Sequence, residues 1–304
     1  MTQILNALPG ALAQGLIWGV MAIGVYITYK VLDIADLTVD GSICTGAAVC
    51  TMLLLGGQSP WLALLCAVLA GVLAGAVTGL LHVGLGIPPI LAGILTQMVL
   101  WSVNLKLLGK ANQALPARTT PVLLSQMDVG GALPVLLGFC VVLVALLVLF
   151  FGTELGCALR ATGCNPVMSR AQGVNTGLMK VIGLALSNGV VALSGALLCQ
   201  YQGYTDVNMG RGAVVIGLAA VVIGRAVLGR RGGRMAVQLG GVILGAVIYY
   251  IVYQVIIFAG FDTDLLKMFS AVVVAVFLGA PHVKAQLKAH SRSKKGDSGH
   301  AENE

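Results

Sequence analysis

Between Gly41 and Leu105 the chain carries no Asp, Glu, Lys or Arg. A helix crosses about 30 Å of hydrocarbon with about 20 apolar residues, so this window is long enough for about three crossings. Its breaks fall at "GGQSP" (56–60) and "GLGIPP" (84–89), where Gly and Pro punctuate. Further charge-free windows cover 1–29, 129–153, 181–205, 235–261 and 268–283. None alternates apolar and polar residues at every second position, as a membrane β-barrel would. Only 10% of residues are charged, against about 25% in soluble domains. These windows therefore predict an all-α, polytopic integral membrane protein.

Nine candidate spans follow: 7–29, 38–55, 60–82, 87–105, 131–152, 180–200, 211–228, 235–257 and 264–281. A cleaved signal peptide would begin with a basic residue and carry a short apolar core. Here the first charge is Lys30, so the opening run is expected to be a retained span. Residues 1–281 then form the transmembrane domain, and 282–304 a basic, polar tail expected to be disordered.

The net charge of +7 does not point to nucleic acid, because the basic residues cluster beside spans. Cytoplasmic loops collect Lys and Arg. With the 153–180 loop placed in the cytoplasm, alternation puts the N-terminus outside and the C-terminus inside. Thirteen of the 18 basic residues then lie on the inner side. Lys106, Lys110, Arg118, Arg211 and Lys267 stay outside, and the external loop 106–130 could cap a vestibule. Seven cysteines show no CxxC pairing and mostly lie in apolar runs, so neither disulfides nor a metal site is expected.

The glycines form small-x-x-small runs such as "GVLAGAVTG" (71–79), which let membrane helices approach closely. Trp18, Trp61 and Trp101 lie in or beside spans and suit interface anchors. No role is assigned to His82.

A faint internal echo joins "DLTVDGSICTGAAV" from Asp36 to "DVNMGRGAVVIGLAAV" from Asp206. The first falls near the inner side and the second near the outer side. Two inverted halves, with interrupted helices meeting near a substrate path, would produce that relation. Asp36, Thr38, Asp40, Asp206 and Asn208 are accordingly candidate pathway residues. Charges inside a membrane usually face a cavity or a partner, but Asp is also favoured as a cap at helix N-termini. Both readings stand.

The polar stretch "TELGCALRATGCNPVMSRAQGVNTGLMK" (153–180) is far longer than a plain connector needs to be. Asn165 can cap a short helix, Pro166 suits its first turn, and Gly173 can end it. Asn175 or Thr176 could cap the next helix. Such a helix could present Val167 and Met168 to a soluble partner, with Arg160 and Arg170 on that partner's acidic rim. It could equally rest on lipid headgroups.

This segment resembles the cytoplasmic coupling segment of permease subunits in ABC importers of the branched-chain amino acid and ribose type. The likeness rests on Thr153, Gly156, Arg160, Ala161, Gly163, Asn165, Ala171, Gly173 and Val174. It continues through "LSGALLCQYQGYTDVNMGRGAVVIGLAAVVIGRAVLGRRGG" (193–233) and "DIADLTVDGS" (33–42). Within the family, the chain looks most like a branch usually called uncharacterised and sometimes associated with aromatic amino acids. Met168, Ser169 and Cys164 depart from the usual small or polar residues there.

The resemblance implies that Arg160, Gly163, Asn165, Pro166, Arg170 and Gly173 engage a separate ATP-binding subunit. It also implies an extracytoplasmic binding protein, a permease homodimer or heterodimer, and a place in a bacterial-type plasma membrane. The cargo would be an amino acid or similar small polar solute. No phosphate-cradling G-x-x-x-x-G-K-[ST] occurs in the chain. ATP and Mg would thus sit on the partner, and this chain would be a conduit rather than an enzyme, with no catalytic residue. An ion-coupled carrier working without an ATPase is the alternative.

Overall fold

A computed structural model describes residues 2–116, 120, 122–228, 234–258, 272 and 275. The helices are α1 (Thr2–Tyr26, continued by a π-helical turn at Ile27–Val31), α2 (Val39–Leu55), α3 (Pro60–Gly84), α4 (Pro89–Leu108), α5 (Val129–Gly152), α6 (Glu154–Cys164), α7 (Pro166–Ala171), α8 (Thr176–Gln202), α9 (Ala213–Leu228) and α10 (Met235–Phe258). Among the described residues, α1, α3, α4, α5, α8 and α10 are long and apolar enough to cross a bilayer, while α2 and α9 are shorter. Eight expected spans are therefore present as helices. The ninth, at 264–281, and the tail lie outside the described residues, Val272 and Ala275 excepted.

Local chemistry explains where the helices start. Ser59 accepts from the Leu62 N–H ahead of Pro60 at the start of α3. Asp128 accepts from the Gly131 N–H at the start of α5. Both are ordinary N-caps.

At the centre, α1 and α8 run antiparallel. Ser194 Oγ donates to the Ile17 carbonyl at 2.7 Å, and Ser187 Oγ to the Gly24 carbonyl at 2.8 Å. Around this pair the packing is reciprocal: α3 lies along α8, and α10 lies along α1. Glycines set both approaches. A Cβ at Gly79 would stand 2.8 Å from the Val181 Cα, and one at Gly15 would stand 2.8 Å from the Val247 Cα. The unit α1–α2–α3 thus has an inverted counterpart in α8–α9–α10, the relation suggested by the Asp36 and Asp206 echo.

Exposure follows the same order. The most hydropathic stretches of α1 and α8 are largely buried, whereas α5 buries little and exposes Val141 and Leu149. Leu73 of α3 and Met98 of α4 are exposed too. In a chain this apolar, such faces suit hydrocarbon.

At one end of the bundle, β1 (Asn112–Ala114) pairs antiparallel with β2 (Tyr204–Asp206). The Leu115 N–H donates to the Gly203 carbonyl, and the Gln126 N–H to that of Tyr201. The 106–130 loop is thereby tied to the end of α8. At the other end, His82 Nδ1 lies 2.8 Å from the Ile87 carbonyl and Nε2 lies 3.4 Å from Lys180 Nζ. His82 therefore joins the close of α3 to the start of α8, a role the sequence did not suggest.

Candidate functional site

Two breaks in the helices carry the expected pathway residues. The first runs from Leu32 to Thr38, between α1 and α2. It opens with Asp33 at φ 56°, the left-handed region that non-glycine residues seldom adopt. Asp36 is 5% exposed. It accepts from the Thr38 N–H at 2.8 Å and from Asn188 Nδ2 at 2.8 Å. Ser42 Oγ donates to Asn188 Oδ1 at 2.6 Å. Thr38, Thr78 and Thr96 then link their hydroxyls at 2.8 and 3.0 Å, joining the break to α3 and α4. Asn188 lies near the midpoint of α8, about 20 Å from either end of that helix. The chain therefore climbs from Val31 into the bundle before α2 begins.

The second break approaches from the opposite end. Thr205 shares a 2.6 Å bond with Thr51, and the Gly210 N–H points to Cys44 Sγ at 3.1 Å. The Gly212 and Val214 N–H groups each donate to Asp40 at 3.0 Å. From Thr51 to Asp40 along α2 is about 16 Å, so this break descends by that depth before α9 begins. Gly210 is required there, because a Cβ would collide with the Asp40 carbonyl. Asp206 accepts from the Asn208 N–H at 2.7 Å, repeating the turn made by Asp36.

The expected pathway set therefore divides. Asp36 and Thr38 belong to one buried network. Asp40 instead caps α9, and Asp206 and Asn208 sit in the second turn. Sequence reasoning placed Arg211 on the outer side at the start of a span. Its backbone lies beside the Asp40-bound residues well inside the bundle, because the helix starts late.

Two cavities border this second break. One, of about 430 Å³, lies between α2, α4 and residues 207–211, and includes Asp40, Gln97, Trp101, Asn104 and Arg211. The other, of about 700 Å³, includes Trp18, Asn208, Arg211, Tyr249, Tyr250 and Tyr253. Arg211 borders both. Among the described residues its guanidinium has no ion-pair or hydrogen-bond partner. Arg211 is exposed where it borders these cavities, as charged residues within membrane proteins usually are. The sequence signal was available: Arg211 is the only basic residue between Lys180 and Arg225. Of the three tryptophans, Trp18 packs 5.8 Å from Tyr250, Trp61 stacks on Phe139, and Trp101 borders the smaller cavity.

The loop at 153–180 contains the expected short helix and one more. Thr153 accepts from the Gly156 N–H to start α6. Asn165 accepts from the Met168 N–H at 3.0 Å to start α7, with Pro166 in its first turn. Gly173, at φ 85°, follows its end. Of the two residues expected to cap the next helix, Asn175 does so, accepting from Leu178 at 3.1 Å, and Arg170 Nη2 donates to Thr176 Oγ1 at 3.2 Å. Gly163 packs against the Val31 carbonyl so closely that a Cβ could not fit. The resulting elbow exposes Val167 at 80% and Met168 at 60%, with Arg160 also exposed. The helix α6 was missed because its cap, Thr153, directly follows the end of a span.

Comparison with known proteins gives the same architecture a family. The model of the branched-chain amino acid transport system permease component matches residues 8–280. The chain is 37% identical over 287 residues to a tyrosine transport system permease protein of Clostridioides difficile, covering 93% of this chain and 94% of the relative. It is 29% identical over 216 residues to the autoinducer 2 import system permease protein LsrC of Escherichia coli, covering 67% of this chain and 60% of that relative. No solved structure gives a significant match. A multi-pass helical bundle and a family match along nearly its whole length agree, and the chain belongs to the family of branched-chain amino acid transport system permease components.

Proposed function

We propose that this chain forms the solute pathway of an ABC importer and is driven by a separate ATP-binding subunit docked on its elbow. The observation that carries this reading is the α6–α7 elbow. Its two exposed apolar side chains, Val167 and Met168, stand on α7, a helix too short to fold alone, and Arg160 is exposed on the preceding α6. Asn165 and Pro166 start that helix, Gly173 ends it, and Arg170 braces it to α8. Gly163 presses the elbow onto the end of α1. ATP and Mg belong to the partner, and this chain holds no cofactor. A second permease copy or a related chain completes the pathway, and an extracytoplasmic binding protein delivers solute. The family likeness favours a bacterial-type plasma membrane, and the basic loops favour the N-terminus outside and the C-terminus cytoplasmic.

An aromatic amino acid, tyrosine foremost, is the proposed cargo. The name of the Clostridioides difficile relative supports that reading.

Co-expression with the ATPase tests the coupling. Val167→Asp together with Arg160→Ala should remove the ATPase from the purified complex and stop ATP-driven tyrosine uptake, while membrane insertion is unchanged. Full retention of the ATPase would overturn docking on the elbow, and uptake that ignores ATP and collapses with an uncoupler would replace this reading with the ion-coupled carrier.

A further inference from the structure

Asn104 is fully buried on α4, and neither its amide nitrogen nor its amide oxygen finds a partner among the described residues. A buried amide with both ends unmatched is rare and calls for an explanation. Asn104 borders the cavity between α2, α4 and the second break, together with Asp40, Gln97 and Arg211. The same cavity has an apolar wall that includes Ile94 and Trp101. Its volume, about 430 Å³, lies within the range of small-molecule sites, about 300–1,000 Å³.

We infer that this cavity binds the transported solute as a zwitterion, with its carboxylate on Arg211 and its ammonium between Asp40 and Asn104. The inference rests on the amino-acid permease reading and adds the groups that hold the cargo.

The chemistry of each group fits. A guanidinium offers a planar fork of donors that matches a carboxylate. Among the described residues, Arg211 has no carboxylate competing for it. Asp40 accepts from the Gly212 and Val214 N–H groups at one oxygen each, and from the Ala213 N–H as well. A carboxylate has about four acceptor sites, so it can still accept from an ammonium. The Asn104 amide oxygen supplies a further acceptor, and its nitrogen can donate to the carboxylate. A solute lacking either charged group would leave Arg211 or the acceptors unpaired, so the site discriminates by chemistry rather than by shape alone.

Because Asp40 also caps α9, substituting it would mix binding with folding. Asn104→Leu avoids that difficulty: it keeps the approximate volume and removes two unmatched polar atoms, so the thermal midpoint should stay level or rise. Arg211→Gln removes the cation at an exposed position, and Arg211→Lys keeps the charge without the fork.

The test reconstitutes the full complex, with its ATPase and binding protein, in proteoliposomes fed labelled L-tyrosine and ATP. Asn104→Leu and Arg211→Gln should each lower uptake about tenfold or more. Arg211→Lys should fall between Arg211→Gln and wild type. ATP hydrolysis stimulated by the loaded binding protein should persist in all three, because the elbow is untouched. Uptake within about twofold of wild type in both Asn104→Leu and Arg211→Gln overturns the zwitterion site and leaves the permease reading standing. Absence of ATP-driven tyrosine uptake in the wild-type complex overturns the tyrosine-permease reading, and this inference with it.

Discussion

Residues 32–38 and 206–212 each carry the chain from a long helix into a shorter one. Each also holds an aspartate that accepts from the N–H two residues ahead, Asp36 from Thr38 and Asp206 from Asn208. They diverge in surroundings. The first break is sealed: Asp36 meets Asn188, and the threonine hydroxyls of Thr38, Thr78 and Thr96 close the network. The second is open: Asn208 and Arg211 are exposed, and both border cavities. The same turn is thus buried in a hydrogen-bonded network in one half and exposed beside cavities in the other. Inverted halves can share a backbone plan while differing in what surrounds it.

Three substitutions would break or sharpen that contrast. The largest effect belongs to Asp36→Ala, which strips acceptors from the Thr38 N–H and the Asn188 amide inside the bundle. Two unmatched donors should cost on the order of 3 kcal/mol. The expected result is a sharply lower thermal midpoint in detergent and a poor yield of monodisperse protein; a wild-type midpoint would show the network to be dispensable. Asp40→Ala comes next, because it uncaps α9 at the point where the halves meet. Loss of a cap costs about 1–2 kcal/mol, which hydrogen exchange should report as faster opening confined to the first turn of α9. Asp206→Ala should have the smallest effect, about 0.5 kcal/mol for a turn bond exposed to solvent. Its thermal midpoint should move little, and a loss as large as that of Asp36→Ala would erase the distinction between the breaks.

Much of this was legible in the residues themselves. Charge-free windows predict eight helices whose existence and approximate bounds hold, because membrane burial writes itself into composition. The elbow was legible for a different reason: Asn165, Pro166 and Gly173 are local signals, and capping needs no distant partner. What could not be read is what depends on depth and on contacts far apart in sequence. Nothing around Asp40 says that it caps a helix beginning at Ala213. Asn188 sits unremarked in the apolar run "GLALSNGVVALSG", yet it bridges Asp36 and Ser42. The helix α9 was expected to start at 211, which left Arg211 on the outer side. Only the descent of the second break alongside α2 brings it inward. Asn104 gave no signal either, since a lone amide near the end of a span is ordinary until its surroundings are known.

The contact between Gly163 and the Val31 carbonyl has a mechanical consequence. Peptide backbone touches peptide backbone there, with no side chain between them to flex and absorb a displacement. A displacement of the elbow would therefore meet the main chain just before the stretch that leads to Asp36. The elbow and the buried turn at Asp36 are thus joined through main chain alone, and a single added methyl group at position 163 would pry that contact apart.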